Sequence, residues 1–298
     1  MTGKLEWEGR VGAEWADKAD ALDRLLGPSG DEALAALAAQ GVGAGARALD
    51  LGCGAGATSF ALAARVAPGG EVWGVDVSPD LLARARARQH ERQRARQHER
   101  QRERQAEEGA DAVRFVLADA AVWLAPAPMD ALYSRCGAMF FDTPPAAWRH
   151  LHAQMAPGAP LAIACWRAPA RNEWVSLPMR LADDLVAPAP PPAAGAPGPF
   201  AWADDAAVLA LLRGAGWRDV RATAYDHRVP IGAGTDPDPI ARAVLFACRI
   251  GPLASRIAAL APEARAAVRA RLAAGFDAHL EDGAVRVPAS AWIIEARA

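Results

Sequence analysis

The sequence has few cysteines and no long apolar run. Its four Cys residues are far apart and form no C-x-x-C pair, which argues against a zinc site or a disulfide framework and fits a reducing compartment. No uninterrupted apolar stretch approaches the ~20 residues of a membrane span. The opening M-T-G-K-L-E-W-E lacks the apolar core of a signal peptide. We therefore expect a soluble, cytoplasmic protein with no membrane contact and no metal.

A strong excess of either charge is also lacking. The formal net charge is −2 over 298 residues, so the protein as a whole is not a binder of polyanions. Positive charge is concentrated in residues 88–105, where the octapeptide R-Q-H-E-R-Q-R-A is followed at once by R-Q-H-E-R-Q-R-E. This Arg/Gln-rich segment has good helix formers but no large apolar residue to pack. We interpret it as a duplicated helical extension, with contact to nucleic acid or a partner as alternatives.

Short apolar strands alternate with helices over the first half of the chain. The predicted strands are residues 47–51, 72–77, 113–117, 131–134 and 161–166. Such strands are typical of a parallel, doubly wound α/β sheet. A helix over 13–40 is expected to break at G-P-S-G, residues 27–30. After a Pro/Ala loop at 187–199, we predict a helix at 204–213, a strand at 217–229, mostly helix at 237–280 and an edge strand at 289–296.

The strongest chemical signal is A-L-D-L-G-C-G-A-G-A-T, residues 48–58. A strand ends, three glycines make a turn, and a helix begins, so a ligand can lie against backbone N–H groups. Asp50 precedes the turn and would repel a pyrophosphate, but it can pair with an ammonium group. This favours a ligand with an amino-acid end over a dinucleotide.

Acidic residues also end the next two strands. Asp76 is placed to accept hydrogen bonds from ribose hydroxyls, and Asp119 to accept one from an adenine amino group. Helix capping at strand ends is the simpler alternative for all three carboxylates. Together, Asp50, Asp76 and Asp119 match the amino-acid end, the ribose and the adenine of S-adenosylmethionine, in the order in which they occur in the chain.

Residues 47–166 resemble the class I S-adenosylmethionine-dependent methyltransferases. L-D-L-G-C-G-A-G, V-W-G-V-D-V-S and V-L-A-D-A resemble the first three motifs of that family. Y-S-R-C-G-A-M-F-F, L-A-I-A-C-W-R with N-E-W, the pair Trp7 and Trp15, and P-G-P-F-A-W-A-D resemble one bacterial subgroup acting on small molecules. In that family the connection corresponding to residues 88–105 is usually a dozen or so residues shorter.

The resemblance implies one Rossmann-like domain over residues 1–298, with a seven-stranded sheet and helical insertions in its C-terminal part. Within it we expect a helical lid (1–45), a cofactor-binding core (46–167) carrying the extension at 88–105, and substrate-side helices with the last strands (168–298). It implies S-adenosylmethionine as the cofactor. The expected cofactor-binding residues are Trp15, Asp50, Gly52, Cys53, Gly54, Asp76, Val77, Asp119, Ala120, Ser134 and Arg135.

The acceptor is expected over the ends of the fourth and fifth strands. The substrate-pocket candidates are Met139, Phe140, Phe141, Trp166, Asn172 and Trp174. This mainly apolar set favours a small organic acceptor and in-line methyl transfer by proximity and desolvation. No catalytic base is assigned, since His150, His152, Tyr225 and His227 are weak candidates. The alternatives are a nucleic-acid or protein methyltransferase using residues 88–105, for which D-T-P-P at 142–145 is a near miss to an adenine-methylating motif, and a non-catalytic binder of the cofactor.

Overall fold

The computed structural model describes residues 4–102, 113–188, 193 and 195–298 as α-helices packed around one mixed β-sheet. The helices are α1 (Lys4–Glu8), α2 (Arg10–Asp17), α3 (Ala19–Ala39), α4 (Ala57–Val66), α5 (Pro79–Arg102), α6 (Pro144–His152), α7 (Glu173–Leu181), α8 (Asp205–Gly214), α9 (Pro239–Ala247), α10 (Pro252–Ala258) and α11 (Pro262–Asp277). The strands are β1 (Arg47–Leu51), β2 (Glu71–Asp76), β3 (Val113–Leu117), β4 (Ala131–Arg135), β5 (Pro160–Trp166), β6 (Arg218–Ile231), β7 (Leu280–Glu281) and β8 (Ala284–Arg297). Single 3₁₀ turns lie at Ala138–Phe140 and Pro169–Arg171. None of the helices in the described part of the chain combines the length and apolar content that crossing a membrane requires.

The sheet confirms the predicted Rossmann-like α/β fold. Its strand order is β3-β2-β1-β4-β5-β8-β6, and the two-residue β7 pairs with β8. Strands β1 to β5 are parallel, whereas β8 runs antiparallel to both β5 and β6. The carboxyl ends of β1 to β4 therefore meet along one edge of the sheet, and ligands bind at this edge in open α/β folds.

The last long strand lies inside the sheet, so the expected edge position for residues 289–296 is wrong. β8 pairs with β5 on one side and β6 on the other. Most of its residues are buried, while β6 alternates exposed and half-buried positions over much of its length. An interior strand loses solvent on both faces, which explains the near-continuous apolar run W-I-I at 292–294.

Helix α3 is continuous through residues 27–30, where a break was expected. Pro28 lies inside the helix and lacks the N–H that would continue the hydrogen-bond ladder. Tertiary packing holds the helix together there: Ser29 and Gly30 are buried, and the Tyr133 hydroxyl donates a 2.9 Å hydrogen bond to the Gly30 carbonyl. A Cβ on Gly30 would lie only 2.6 Å from Arg135 Cδ. The close contact of α3 with β4 thus overrides local propensity.

Polar contacts hold the first octapeptide, residues 88–95, against the rest of the protein. The sequence did not predict them, because only the lack of large apolar residues was considered. The Arg88 guanidinium donates to Asp20, Asp23 and the Ala55 carbonyl. Gln89 Nε2 donates to the Val113 carbonyl over 2.9 Å, and the Arg92 guanidinium lies 4.8 Å from the Phe60 ring centroid. The predicted helix into this segment is present to residue 102, whereas residues 103–105 of the repeat lie outside the described residues. Its proximal part is therefore integral to the fold.

Deleting residues 88–103 is nevertheless expected to leave the fold intact. R-Q recurs every four residues here, so the deletion moves Arg104 and Gln105 into the places of Arg88 and Gln89. We expect a change of less than about 1 kcal/mol in unfolding free energy, against about 1–2 kcal/mol lost in Arg88→Ala, which removes the paired guanidinium. Urea unfolding measures both. A deletion variant less stable than Arg88→Ala would contradict the replacement of these contacts.

Candidate functional site

A cavity of about 480 Å³ opens at the carboxyl ends of β1 to β4, within the size range of small-molecule sites. Its charged lining residues are Lys4, Asp23, Asp76, Asp119, Arg135 and Asp142. Four carboxylates and two cations give this lining a net negative charge. Its aromatic lining residues are Trp7, Trp15, Phe140 and Phe141.

The glycine loop forms one wall of the cavity, as the sequence predicted. Gly52 and Gly54 have positive φ angles of 67° and 53°, which L-residues with side chains rarely adopt. A Cβ on Gly52 would lie 2.7 Å from Gly137 Cα, so two backbone segments touch here. A Cβ on Gly54 would meet no atom within 4 Å. The missing side chain at Gly54 therefore leaves space for a ligand to approach the backbone.

Asp76 connects the second strand to this loop. Its Oδ2 accepts a 2.8 Å hydrogen bond from the Gly54 N–H, and its Oδ1 accepts one of 2.8 Å from the Ser78 N–H. Desolvation by burial raises the pKa of the Asp76 carboxyl, against the lowering effect of these bonds. Each oxygen keeps a second lone-pair site for a hydroxyl of a ligand.

Asp50 lies beneath the loop and outside the cavity lining. It is fully buried, and its Oδ2 accepts hydrogen bonds of 2.7 Å from Thr58 and 2.6 Å from Ser59. Its Oδ1 is buried without a hydrogen-bond partner in the described part of the chain. Desolvation by burial raises the pKa of Asp50 to about 6. An unpartnered buried carboxylate oxygen is costly and accepts a cationic donor readily.

The raised pKa makes a prediction for Asp50→Asn. The folded protein binds this proton more tightly than the unfolded chain, so the stabilising effect is present at low pH and is lost as pH rises through about 6. We expect the asparagine variant to gain about 2 kcal/mol of stability relative to wild type between about pH 4.5 and pH 7.5. Urea unfolding at both pH values measures this, with the exposed Asp31→Asn as control. A difference independent of pH would contradict the prediction.

The N-terminal helices cover the cavity with contacts that the sequence revealed only in part. Lys4 Nζ donates a 3.0 Å hydrogen bond to Asp119 Oδ2, and this bond raises the pKa of Lys4. Trp7 packs edge-on against Trp15 and Phe140, with ring centroids 4.9 and 5.0 Å apart. The Trp pair was noticed in the sequence, whereas nothing in the sequence linked Lys4 to a position 115 residues away.

Arg135 lines the cavity and is paired with Asp23 of α3. Its NH2 group donates a 2.6 Å hydrogen bond to Asp23 Oδ1, while Asp23 Oδ2 accepts one of 2.8 Å from Arg88. Asp23 was not predicted, since it is one of several charged residues on α3 and only the fold brings it to β4. Next to Arg135, burial raises the pKa of the Cys136 thiol to about 12, which keeps it protonated at neutral pH.

Most of the predicted cofactor-binding residues gather at this cavity. The structure places nine of them in its lining: Trp15, Gly52, Cys53, Gly54, Asp76, Val77, Asp119, Ala120 and Arg135. Asp50 and Ser134 lie behind it, and Ser134 is buried with its hydroxyl donating to the Leu51 carbonyl. Their direct contact with a cofactor stays a prediction.

Only two of the six substrate-pocket candidates line the cavity, namely Phe140 and Phe141. Asn172 is instead a buried structural residue that connects the segment after β5 to β8. Its side-chain NH2 group donates to the carbonyls of Arg167, Ala168 and Ser290, and its Oδ1 accepts from the Ser290 N–H. Trp166 and Trp174 pack on each other with ring centroids 5.3 Å apart, and Met139 is buried in the core. The end of β5 lies outside the cavity lining: Trp166 pairs with Ala291 of β8 and packs against Trp174 of α7. Contact of these four candidates with an acceptor stays a prediction.

The four weak candidates for a catalytic base, namely His150, His152, Tyr225 and His227, also lie away from the cavity lining. His227 stacks on Tyr225 and Trp166, His150 contacts the Trp123 carbonyl, and His152 packs against Trp217. In the parts of the chain that the structure covers, no three His, Cys, Asp or Glu residues are grouped to hold a metal ion. The titratable groups in the cavity lining are therefore four carboxylates, two cysteine thiols, one lysine and one arginine.

Comparison with known proteins agrees with this arrangement. The family model described as "Methyltransferase domain" matches residues 49–161. The YcgJ protein of Bacillus subtilis superposes with a TM-score of 0.51 at 16% identity, over 89% of this chain and 97% of that protein. A Bacillus halodurans C-125 protein described as a candidate methyltransferase gives a TM-score of 0.52 at 14% identity, over 90% and 99%. At such identities the two structures show the fold alone, and a search of curated proteins gave no match. Residues 49–161, which contain the glycine loop and the acidic ends of β2 and β3, thus form a methyltransferase domain of the S-adenosylmethionine-dependent kind.

Proposed function

We propose that this enzyme methylates a small organic acceptor bound beside the cofactor in the 480 Å³ cavity. The observation that carries the proposal is the division of the lining. Carboxylates and the glycine loop occupy the tips of β1 to β3, and the segment after β4 adds Phe140 and Phe141. One region thus suits a polar, cationic cofactor and the other an apolar acceptor.

The residues present fit S-adenosylmethionine. The net negative lining complements its sulfonium and ammonium groups. Asp76 has free lone pairs for ribose hydroxyls, and Asp119 is placed for the adenine amino group. Asp50 Oδ1 has no hydrogen-bond partner among the described residues, so it can accept a bond from a cationic donor. Arg135 retains N–H donors beyond its bond to Asp23, which suit the cofactor carboxylate. The cofactor supplies a methyl group already activated on sulfur.

The chain's own contribution to the reaction is then mainly orientation and exclusion of water. Phe140, Phe141 and the Trp7–Trp15 pair form apolar walls that hold an acceptor in line and desolvate it. Proximity and alignment of this kind account for several kcal/mol of a barrier, in order of magnitude. Asp142 follows directly on Phe141 in the lining, where its carboxylate can take a proton that the acceptor releases.

Residues 1–45 act as a lid of this single domain in our proposal, residues 46–167 as its cofactor-binding core, and residues 168–298 complete it on the substrate side. The support is the position of α1 over the cavity. Lys4 occupies an oxygen of Asp119, the carboxylate assigned to adenine, so the cofactor and the first helix share one acceptor. Binding of the cofactor and the position of α1 are therefore coupled.

The proposal is tested by isothermal titration with S-adenosylhomocysteine, followed by a methyl-transfer screen over small phenols, amines and acids. Micromolar binding and turnover of a small acceptor are the expected results. Cofactor binding with no turnover on any small acceptor, but with turnover on RNA, DNA or protein, would overturn the acceptor class. The internal contacts of Arg88 and Arg92 argue against that outcome, because they leave fewer guanidinium groups of residues 88–105 for a macromolecule.

A further inference from the structure

A second recess of about 370 Å³ lies between α3, α9 and the β6–β8 pair. Four arginines line it: Arg24, Arg228, Arg242 and Arg286. The other lining residues are proline, glycine and alanine, and within the described residues no carboxylate belongs to the lining. None of its lining residues also lines the large cavity. The recess is thus a separate site of one charge sign.

Two of the four guanidinium groups are held in place by backbone carbonyls. Arg242 donates from Nε to the Gly232 carbonyl over 3.2 Å and from NH2 to the Gly283 carbonyl over 3.0 Å. A Cβ on Gly234 would lie 3.3 Å from Arg242 Cδ, so the glycine leaves room for this side chain. Arg228 NH2 donates to the Arg286 carbonyl over 3.0 Å. Such fixation keeps the charge of each guanidinium and lowers the entropy cost of binding a ligand.

The positive charge of the recess is largely uncompensated. Arg228 pairs with Glu281, which lies outside the lining. The charge of Arg24 contributes to lowering the pKa of Asp20, but Asp20 forms its ion pairs with Arg84 and Arg88. In the part of the chain that the structure describes, neither Arg24 nor Arg286 has a side-chain hydrogen bond or ion pair. A concave surface of one charge sign concentrates ions of the opposite sign.

We propose that this recess binds a small anion that carries two or more adjacent phosphate groups. Guanidinium forks match phosphate oxygens in paired hydrogen bonds, and four of them suit several charges better than one carboxylate. The volume of the recess fits a small molecule. Its described lining contains no aromatic side chain on which a nucleobase could stack. The site therefore recognises the phosphates of its ligand.

The test is calorimetric titration of the full chain with inorganic pyrophosphate at constant ionic strength, in parallel with inorganic phosphate. We expect pyrophosphate to bind more tightly than phosphate, and Arg242→Gln to weaken it about tenfold or more, the loss of one charge-assisted contact. Arg24→Gln removes an exposed side chain that makes no hydrogen bond or ion pair with the described residues, and it is expected to weaken binding by a similar factor with an unchanged melting temperature. Arg65→Gln, an exposed arginine on α4, is the matched control and should bind as wild type does.

Three outcomes would overturn the proposal. The first is no pyrophosphate binding to the wild-type chain, and the second is equal affinity in Arg24→Gln and Arg65→Gln. The third is displacement of pyrophosphate by a short DNA duplex or by vesicles of anionic lipid, because either would make the recess part of a macromolecular surface. None of these results bears on S-adenosylhomocysteine binding, so failure here leaves the methyltransferase proposal standing.

Discussion

Replacing Asp23 by asparagine is expected to lower the free energy of unfolding by about 2–3 kcal/mol and to weaken cofactor binding. Asp23 is the carboxylate between two arginines, with 2.6 Å to Arg135 and 2.8 Å to Arg88. Burial alone would lower the pKa of Arg135, but the charge of Asp23 reverses this and holds that pKa above its ordinary value. Without the carboxylate, the poorly solvated Arg135 guanidinium loses its ion-pair partner, while Arg88 keeps only Asp20 and the Ala55 carbonyl. The estimate lies below that for a fully buried pair because Asp23 retains 23% of its side-chain exposure.

Asp20→Asn provides a matched control one turn earlier on α3. Asp20 also contacts Arg88 and carries the same charge, but 67% of its side chain is exposed. Exposed pairs contribute about 0–1 kcal/mol, so urea unfolding should separate the two variants clearly. Titration with S-adenosylhomocysteine adds a second measurement, since Arg135 must keep its orientation to meet a carboxylate. Equal stability of Asp23→Asn and Asp20→Asn would show that Asp23 does not hold the two arginines.

The part of the fold closest to the cofactor was the most predictable from sequence. β1 and β3 have the bounds that the sequence predicted, residues 47–51 and 113–117, although β3 lies at the edge of the sheet and is only partly buried. Asp76 and Asp119 reached the cavity as predicted, since parallel strands bring their carboxyl ends to one edge. In this region, the residue type at the end of a strand was enough to predict which side chains reach the cavity.

The other side of the cavity was less predictable because it depends on contacts distant in sequence. Asn172 resembles a ligand-binding residue by its neighbours, yet it fastens the loop after β5 to Ser290, 118 residues away. Nothing in the sequence distinguishes Asp23 and Lys4 from other charged residues, and they become cavity residues only because α3 packs on the sheet and α1 lies over the cavity. The contacts of the first octapeptide also depend on residues distant in sequence, since Asp23 lies on α3 and Ala55 in the glycine loop.

Replacing Asp76 by asparagine is expected to weaken binding of S-adenosylhomocysteine by about 100-fold or more, and by more than it destabilises the apoprotein. The two carboxylate oxygens of Asp76 accept from the Gly54 and Ser78 N–H groups at 2.8 Å each. An asparagine offers one acceptor and one donor, so its NH2 group must face one of these N–H donors. The loop then shifts, and the charge-assisted bonds to the ribose hydroxyls are lost, each worth about 1.5–3 kcal/mol. Losses of this size correspond to two or more decades in dissociation constant.

Asp80→Asn is the control for Asp76→Asn, because Asp80 is exposed in the first turn of α5, four residues further along. Its charge lies at the positive end of the helix dipole, an interaction worth about 0.3–1 kcal/mol, and its loss should leave the dissociation constant within a few-fold of wild type. Melting of the apoproteins separates a collapsed loop from a lost ligand contact. If Asp76→Asn melts like wild type and still binds weakly, the carboxylate acts on the ligand directly. If it binds S-adenosylhomocysteine as tightly as Asp80→Asn does, the ribose is held elsewhere and the assignment of the β2 tip to it is wrong.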